Sequence, residues 1–358
     1  MSSQQRIQLK SLKDQVIVIT GASSGIGLAT AKMAAEKGAR LVLASRNREA
    51  LEKICSEISE KGGHAIAVEC DVAEADQVKA VADRAISEFG GFNTWVNNAG
   101  ASIYGKLIEV PLAEKRRLFD VNFWGVVHGC RAAIPVLRKT GGALINIGSI
   151  ASERAMPIQG MYSASKHAVK AYTDALRMEL EAEGFPISVS LVKPAAIDTP
   201  FPEHGINHMD HHPVHTPPVY APEIVASAIL ECAVTMKRDV YVGGSAKFIS
   251  LLETFLPRLA DLYMEKAMME NGQSDANLDS EKQEPALTSV PKDGKTRGAY
   301  PGRVMKTSAY TAAALHPGAA ALIATGLGLA TAAGIGFWQS RRGTPQVATP
   351  DLNNIVRH

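Results

Sequence analysis

The chain has 358 residues, of which 46% are apolar and 21% are charged, and its formal net charge is +2. This length exceeds what one hydrophobic core usually needs, so we expect one large domain with an appendage, or two domains. The near balance of charge gives no electrostatic reason to expect a nucleic-acid partner.

The four cysteines, Cys55, Cys70, Cys130 and Cys232, form no CxxC pair and no regular spacing. This usage favours a reducing compartment in which they are small core residues rather than ligands or disulfide partners. Residues 1–13 form a polar N-terminal arm without the apolar stretch of a secretory signal. We therefore expect a cytoplasmic catalytic domain that is not secreted.

From residue 14 to residue 246, short runs rich in Val and Ile alternate with longer helical patterns. Continuous apolar strands separated by helices are typical of a parallel sheet covered on both faces. Right-handed connections then give an α/β, doubly wound (Rossmann) parallel sheet of about seven strands. The predicted strands are 15–20, 40–45, 64–70, 92–98, 142–149, 187–193 and 239–243, and the predicted helices include 25–37, 47–61, 74–89, 111–139 and 160–183.

The first predicted strand runs into the motif TGASSGIG at 20–27. Its glycines at 21, 25 and 27 allow the backbone to turn tightly and to approach a pyrophosphate at a helix N-terminus. Because the motif follows a strand and opens a helix, it stands in the context that a dinucleotide site requires. No lysine follows the last glycine, which disfavours a nucleoside-triphosphate P-loop.

The end of the second strand predicts which dinucleotide binds. In folds that bind NAD, an acidic residue near this position holds the ribose 2′-hydroxyl. Here Ser45 and Arg46 stand instead, and both can bind a 2′-phosphate through charge-assisted hydrogen bonds. We therefore predict NADP(H) as the cofactor; the alternative is that Arg46 only covers the solvent side of the turn.

The segment after the last strand has three parts. Residues 247–270 show apolar side chains at helical spacing, and Pro257 is expected to kink or divide the helix. This helix either packs on the core or another subunit, or lies on a membrane surface. Residues 271–306 are polar, with little to bury, and are interpreted as a linker.

Residues 307–358 form an apolar tail rich in alanine and glycine. The stretch 318–338 has 21 residues, enough to span a bilayer, and is followed by Arg341 and Arg342. Because strong hydrophobes are few, the alternative is a helix packed on protein. A membrane-associated tail would leave the catalytic domain in the cytoplasm, since basic residues are more numerous on the domain side.

Six motifs in chain order resemble those of the short-chain dehydrogenase/reductase family, over about residues 14–245: TGASSGIG at 20–27, CDV at 70–72, NNAG at 97–100, Asn122, Ser149 and YSASK at 162–166. The resemblance implies a homo-oligomer that forms through the helices at 111–139 and 160–183. One departure is Ala195 after Pro194, where the family usually has glycine; Ala195 is expected to be tolerated if its φ is negative. The resemblance and the motifs together predict the cofactor-binding residues Gly21, Ser23, Ser24, Gly25, Ile26, Gly27, Ser45, Arg46, Asp71, Val72, Asn98, Ala99, Gly100, Tyr162, Lys166, Pro194, Ile197 and Thr199.

Tyr162 and Lys166 stand four residues apart and so face the same side of a helix. An ammonium about 4 Å from the phenol contributes about 4 kcal/mol at an effective dielectric constant of about 20, or roughly 3 pH units, which predicts a phenol pKa near 7. In the family pattern Tyr162 is the acid/base and Lys166 bonds the nicotinamide ribose. Ser149 then stabilises the substrate oxygen, and Asn122 holds a water that relays protons.

The predicted function is an NADP-dependent oxidoreductase that transfers a hydride between the nicotinamide and a carbonyl or secondary alcohol. Residues 199–220 are interpreted as a proline-rich lid; their histidines have spacings that metal sites use, but prolines interrupt the segment and no metal is predicted. The pocket edges at 101–104 and 151–158 are mostly apolar, apart from Glu153 and Arg154, which favours a bulky apolar substrate. The alternatives are a catalytically silent NADP-binding sensor and a membrane-anchored scaffold.

Overall fold

The computed structural model describes residues 7–270, 273–277, 285–291, 294–318 and 320. The chain divides into two units after Leu315, and the elements described below belong to the first unit.

The described residues form strands and helices that alternate along the chain. The strands are β1 (Val16–Thr20), β2 (Arg40–Ser45), β3 (His64–Glu69), β4 (Thr94–Asn97), β5 (Ile103–Tyr104), β6 (Gly142–Ile147), β7 (Ile187–Pro194), β8 (Ile206–Asn207), β9 (His211–Pro213), β10 (Val219–Tyr220), β11 (Asp239–Val242), β12 (Gln273–Asn277) and β13 (Val304–Met305). The α-helices are α1 (Gly25–Glu36), α2 (Arg48–Glu60), α3 (Ala75–Phe89), α4 (Leu112–Phe119), α5 (Gly125–Thr140), α6 (Gly160–Ala182), α7 (Pro222–Val234), α8 (Gly244–Phe255), α9 (Pro257–Met264) and α10 (Ala309–Leu315).

Seven of these strands form one parallel sheet in the order β11-β7-β6-β4-β1-β2-β3. They are the seven strands predicted from the sequence, so the doubly wound fold is confirmed. The direction in which successive strands are added reverses between β1 and β4. In such sheets this reversal opens a crevice at the carboxyl ends of the strands, where ligands bind.

Two layers of helices cover the sheet, and the alternation of side chains along each strand serves both layers. Val16 and Val18 of β1 belong to the apolar cluster that contains α3, α5 and α6. Ile17 and Ile19 belong to the cluster that contains α1, α2 and α7. This two-sided burial explains why β1 is an unbroken apolar run rather than an alternating one.

The segment predicted as one helix at 111–139 is two α-helices with a π-helical turn at Asp120–Trp124 between them. A π-helical turn widens the helix by one residue and is frequent at functional sites. Asn122 lies in this turn and is fully buried, so the irregular turn fixes the position of a predicted site residue.

Pro257 divides the amphipathic segment at 247–270, as predicted. Helix α8 ends at Phe255 and α9 begins at Pro257, because proline lacks the amide hydrogen that would continue the helix. The outward faces of the two helices carry exposed large apolar side chains, among them Phe248, Phe255 and Leu259.

The interpretation of residues 271–306 as a linker is wrong where the structure describes them. Leu287 is 1% exposed and belongs to the core, and β13 pairs with β10. Residues after this segment also pack on the domain, since the amide of Gly243 donates to the hydroxyl of Thr311 in α10 at 2.9 Å. Main-chain groups make several of these contacts, and composition gives no signal for them.

The candidate membrane stretch at 318–338 lies outside the described residues, apart from 318 and 320. Within the part of the chain that the structure describes, no helix is both long and apolar enough to cross a membrane.

Candidate active site

A cleft with a volume of about 330 Å³ opens at the carboxyl ends of the central strands. The segments that follow β1, β2, β3, β4, β6 and β7 all reach it, as the reversal of strand order predicts. Of the residues predicted from the sequence, those that line it are Gly21, Ser23, Ser24, Gly25, Ile26, Ser45, Arg46, Asp71, Val72, Asn98, Ala99, Gly100, Ser149, Tyr162, Lys166, Pro194, Ile197 and Thr199.

The glycine turn has a backbone that other residues cannot adopt without strain or collision. Gly21 and Gly25 have φ values of 65° and 53°, in the left-handed region that favours glycine. A Cβ at Gly27 would lie 2.2 Å from the carbonyl oxygen of Gly21. The turn is therefore held tightly against the start of α1, where backbone amides can bind an anion.

The start of α1 presents backbone donors to the cleft. Ser24 stands at the N-cap, and its side chain makes no capping hydrogen bond. The amide of Gly25 instead donates to the carbonyl of Lys295 at 2.8 Å. These amides and the positive end of the helix dipole are the groups that a pyrophosphate would use, so the turn fits a dinucleotide.

Arg46 lies at the end of β2, beside Ser45 and opposite Asp71. Burial lowers the pKa of its guanidinium, while the nearby Asp71 carboxylate raises it. The guanidinium donates to the main-chain carbonyl of Ala286, and Asp71 pairs with Arg117. Arg46 is thus placed at the cleft wall rather than only on the solvent side of the turn.

Three side chains of the family pattern meet at the opposite end of the cleft. Ser149 follows β6 and begins the 3₁₀ turn at Ile150–Ser152, while Tyr162 and Lys166 lie on one face of α6. All three are buried, with relative exposures of 7%, 8% and 4% respectively. The side chains of Tyr162 and Ser149 line the same cleft, and Ser149 is close enough to act on the pKa of the phenol.

The structure does not show the lowered phenol pKa that the spacing of Tyr162 and Lys166 predicts. Burial raises the pKa of Tyr162 to about 12, against the smaller lowering effect of the nearby Ser149 side chain. The Lys166 ammonium lies 5.8 Å from the centre of the Tyr162 ring and donates to the carbonyl of Ile147 at 2.8 Å. Burial also lowers the pKa of Lys166 to about 8. Desolvation therefore outweighs the attraction between the pair.

Asn122 holds the backbone of the loop after β4 with its side chain. Its Oδ1 accepts from the amide of Ala101 at 2.8 Å, and its Nδ2 donates to the carbonyl of Ala101 at 3.0 Å and to the hydroxyl of Ser165 at 3.1 Å. The side chain does not line the cleft. These contacts give Asn122 a positioning role in addition to the water-holding role that the resemblance implies.

The loop after β7 closes the cleft between the two ends. Ala195 does not have a positive φ, which meets the condition under which alanine can replace the family's glycine. A Cβ at Gly25 would lie 3.3 Å from the Cβ of Thr199. The loop that carries Pro194, Ile197 and Thr199 therefore reaches across to the glycine turn.

The predicted lid forms the apolar wall beside Tyr162. The ring centre of Phe201 lies 5.5 Å from that of Tyr162, and Tyr104, Met156 and Ile158 complete this wall. Ile158 has a φ of 55°, a strained conformation for a β-branched residue of the kind that collects at functional sites.

His215 also lines this wall, and no hydrogen-bond partner reaches its buried Nε2. Burial lowers the pKa of the imidazole to about 4, so the side chain is neutral at pH 7. In the part of the chain that the structure describes, no group of His, Cys, Asp and Glu side chains is arranged to hold a metal ion.

Glu153 and Arg154 do not line the cleft, contrary to the expectation from the sequence. Glu153 accepts from Lys170 at 2.9 Å and from Lys193 at 2.7 Å. Arg154 pairs with Glu253 of α8 and with Asp261 of α9. Charged side chains this close to an apolar cleft satisfy one another instead of facing it, because an unpaired buried charge is costly.

Two sets of cleft residues were not predicted. The first comes from α8, α9 and the π-helical turn at Glu265–Glu270 that follows α9: Ile249, Tyr263, Met264, Ala267 and Met268. The helical spacing in the sequence places Ile249 and Tyr263 on one apolar face, but it does not show which surface that face meets. The second set, Ala286, Val290 and Pro291, comes from the supposed linker, whose composition carries no such signal.

Comparison with known proteins places the chain in a family. A family model described as short chain dehydrogenase matches residues 15–208. The chain is 46% identical over 325 residues to the uncharacterized oxidoreductase YxnA of Bacillus subtilis, and the match covers 90% of this chain and 91% of the relative. It is 34% identical over 237 residues to 11-beta-hydroxysteroid dehydrogenase A of Sesamum indicum, covering 63% of this chain and 67% of that one.

Solved structures agree with this assignment. A short chain dehydrogenase/reductase from Burkholderia phymatum, in complex with NAD, matches with a TM-score of 0.63 and 26% identity over 75% of this chain and 100% of its own. An alcohol dehydrogenase from Thermococcus sibiricus, complexed with 5-hydroxy-NADP, matches with a TM-score of 0.57 and 28% identity over 63% of this chain and 95% of its own. The chain belongs to the short-chain dehydrogenase family and is an oxidoreductase with a dinucleotide-binding fold.

Proposed function

We propose that the protein is an NADP(H)-dependent oxidoreductase that interconverts a carbonyl group and a secondary alcohol on a bulky apolar substrate. The observation that carries this proposal is that the buried side chains of Ser149, Tyr162 and Lys166 line one cleft, with Lys166 one helical turn from Tyr162. Both hydroxyl groups face an apolar cleft whose other end is the glycine turn.

The cofactor supplies or accepts the hydride when it is bound. In the direction of reduction, the Tyr162 phenol gives its proton to the substrate oxygen. Ser149 stabilises the negative charge that develops on that oxygen by donating a hydrogen bond from a fixed position. Its Oγ is held by the amide of Ala151 at 3.1 Å, so little reorganisation is needed.

Lys166 restores the proton of Tyr162. Because burial lowers its pKa to about 8, the ammonium is still mostly protonated at pH 7 but releases a proton more easily than an exposed lysine does. Asn122 fixes the neighbouring loop through its two hydrogen bonds with the main chain of Ala101.

The preference for NADP(H) rests on Arg46 and Ser45 at the end of β2. A guanidinium and a hydroxyl bind a 2′-phosphate, whereas an acidic residue there would repel it. The two solved relatives bind NAD in one case and an NADP analogue in the other, so the fold accepts both and the side chains at this position decide.

The apolar character of the substrate rests on the wall around Tyr162, which includes Phe201, Met156, Ile158 and Met264. A relative whose name gives a steroid as its substrate agrees with a bulky, mostly apolar molecule. The placement of Ser149 beside Tyr162 in this cleft favours an enzyme over a silent sensor, because nucleotide binding alone has no use for it.

A screen of carbonyl compounds with NADPH, followed by absorbance at the reduced-nicotinamide band, tests this function. We expect turnover with polycyclic or long-chain ketones and aldehydes, and little with phosphorylated sugars. The same screen with NADH is the control for cofactor choice. No turnover with any carbonyl or alcohol, in either direction, would exclude the proposed reaction.

A further inference from the structure

A part of the supposed linker crosses the phosphate end of the cleft. We call residues 285–291 and 294–298 the strap. Its main-chain carbonyls accept three hydrogen bonds from cleft residues: Ala286 from the Arg46 guanidinium, Pro291 from the Asn47 side chain at 2.7 Å, and Lys295 from the Gly25 amide at 2.8 Å.

Two of these donors are groups that we assign to the cofactor. The Gly25 amide stands at the start of α1, where a pyrophosphate would bind, and Arg46 stands where a 2′-phosphate would bind. An amide hydrogen satisfies one acceptor at a time in good geometry. A carbonyl oxygen and a phosphate oxygen both carry negative charge and repel each other at contact distance. The strap and a phosphate therefore cannot share the Gly25 amide, and at Arg46 the Ala286 carbonyl occupies one of the five guanidinium donors and repels a phosphate beside it.

The strap is also held at its sides. Arg297 pairs with Glu223 in the first turn of α7 at 2.8 Å and with Asp198 after β7 at 3.5 Å. The amide of Ala286 donates to the carbonyl of His204 in the lid at 2.7 Å, and Leu287 is buried in the core. These contacts dock the strap on the phosphate end and on the lid at once.

We propose that the strap is an autoinhibitory element that competes with NADP(H) for the Gly25 amide and the Arg46 guanidinium. The inference rests on the proposed cofactor site. Cofactor binding displaces the strap from these donors, and the free energy of the strap contacts lowers the apparent affinity for NADP(H). Because the strap also binds the lid through His204, its release frees one edge of the substrate wall.

Loosening the anchor of the strap tests the competition without touching the cleft donors. In the full-length chain, Arg297→Ala removes the ion pairs with Glu223 and Asp198, and Glu223→Gln removes one of them from the other side. We expect each variant to bind NADPH with a dissociation constant about two- to fivefold lower than the wild type, since partly exposed pairs are weak. The matched control is Arg84→Ala, which breaks an exposed ion pair with Glu88 on α3 and is expected to leave the NADPH affinity unchanged.

Hydrogen–deuterium exchange provides a second measurement that does not depend on turnover. Saturating NADPH should increase exchange of the strap amides, including that of Ala286, while the Gly25 amide stays protected by its new partner. An unchanged NADPH affinity in both anchor variants would overturn the proposal. Slower exchange of the strap with NADPH would overturn it as well, because the strap would then close over the cofactor rather than compete with it.

The outcome separates this proposal from the proposed function. If the wild type and both anchor variants turn over substrate and bind NADPH with equal affinity, the autoinhibitory role of the strap is refuted and the proposed reaction stands. Tighter NADPH binding in both anchor variants, with no turnover of any substrate, would support the strap and refute the reaction. Absence of NADPH binding in every variant would refute both.

Discussion

The catalytic end and the phosphate end of the cleft are held in place by different kinds of contact. At the catalytic end, Ser149 and Lys166 bond main-chain groups of Ala151 and Ile147, two and 19 residues away along the chain. At the phosphate end, Arg46 bonds the carbonyl of Ala286, 240 residues away. One end is fixed by its own sheet and helix, and the other is covered by a remote segment.

This contrast indicates which part of the site can be regulated. Groups fixed by neighbouring elements of the core move only when the core unfolds, whereas a segment held by one buried leucine, two ion pairs and a few hydrogen bonds opens at lower cost. We therefore expect changes at the catalytic end to affect the chemical step and changes at the phosphate end to affect cofactor affinity and choice.

The largest effect is expected from Tyr162→Phe, which removes only the phenolic oxygen. The turnover number should fall by about 10³-fold or more, since general acid catalysis is lost, while the dissociation constant for NADPH should change by less than about twofold. Steady-state kinetics and NADPH titration check both values. Tyr172→Phe, on the same helix but outside the cleft, is the control. Near wild-type turnover by the Tyr162 variant would contradict the assignment of the chemical step to the catalytic end of the cleft.

A smaller effect is expected from Arg46→Asp at the phosphate end. The ratio of the NADH to the NADPH dissociation constants should fall by about 10- to 100-fold, because a favourable charge-assisted hydrogen bond is replaced by repulsion. The ratio is the useful quantity, since losing the Arg46 contact with the strap affects both cofactors equally. Arg48→Asp, two residues further on an exposed face of α2, is the control. An unchanged ratio would mean that Arg46 does not read the 2′-phosphate.

The smallest effect concerns His215 in the wall of the catalytic end. Its folded pKa is lowered to about 4 from an ordinary value of 6.5. The unfolded chain therefore binds the proton more readily between these values, and stability is lost as the pH falls from about 6.5 through 4. His215→Asn should lose about 1 to 2 kcal/mol less than the wild type over this range.

Thermal unfolding at pH 7 and pH 4.5 measures the effect of His215, with the exposed His212→Asn as the control. Equal losses of stability in the wild type and the His215 variant would show that this wall admits water and that the imidazole is not sequestered there.

Sequence periodicity determined the sheet and the two ends of the cleft. The runs at 15–20 and 40–45 match β1 and β2 to within one residue, because strands buried on both faces must be continuously apolar. The glycine turn was also predictable from the sequence. Gly21 and Gly25 have positive φ, a conformation that favours glycine, and glycines can be read directly from the sequence. The spacing of Tyr162 and Lys166 fixed their common helix face.

Only the tertiary structure decided the charge state of the tyrosine and the cover of the phosphate end. The pKa of Tyr162 is raised because elements distant in sequence exclude water from it. The four-residue spacing of Tyr162 and Lys166 carries no information about this burial. The strap meets the cleft through main-chain carbonyls, which every residue type has, so its polar composition predicted a linker. The local sequence pattern thus specified which groups reach the cleft. Desolvation determined the pKa of Tyr162, and long-range main-chain contacts determined which donors at the phosphate end are covered by the strap.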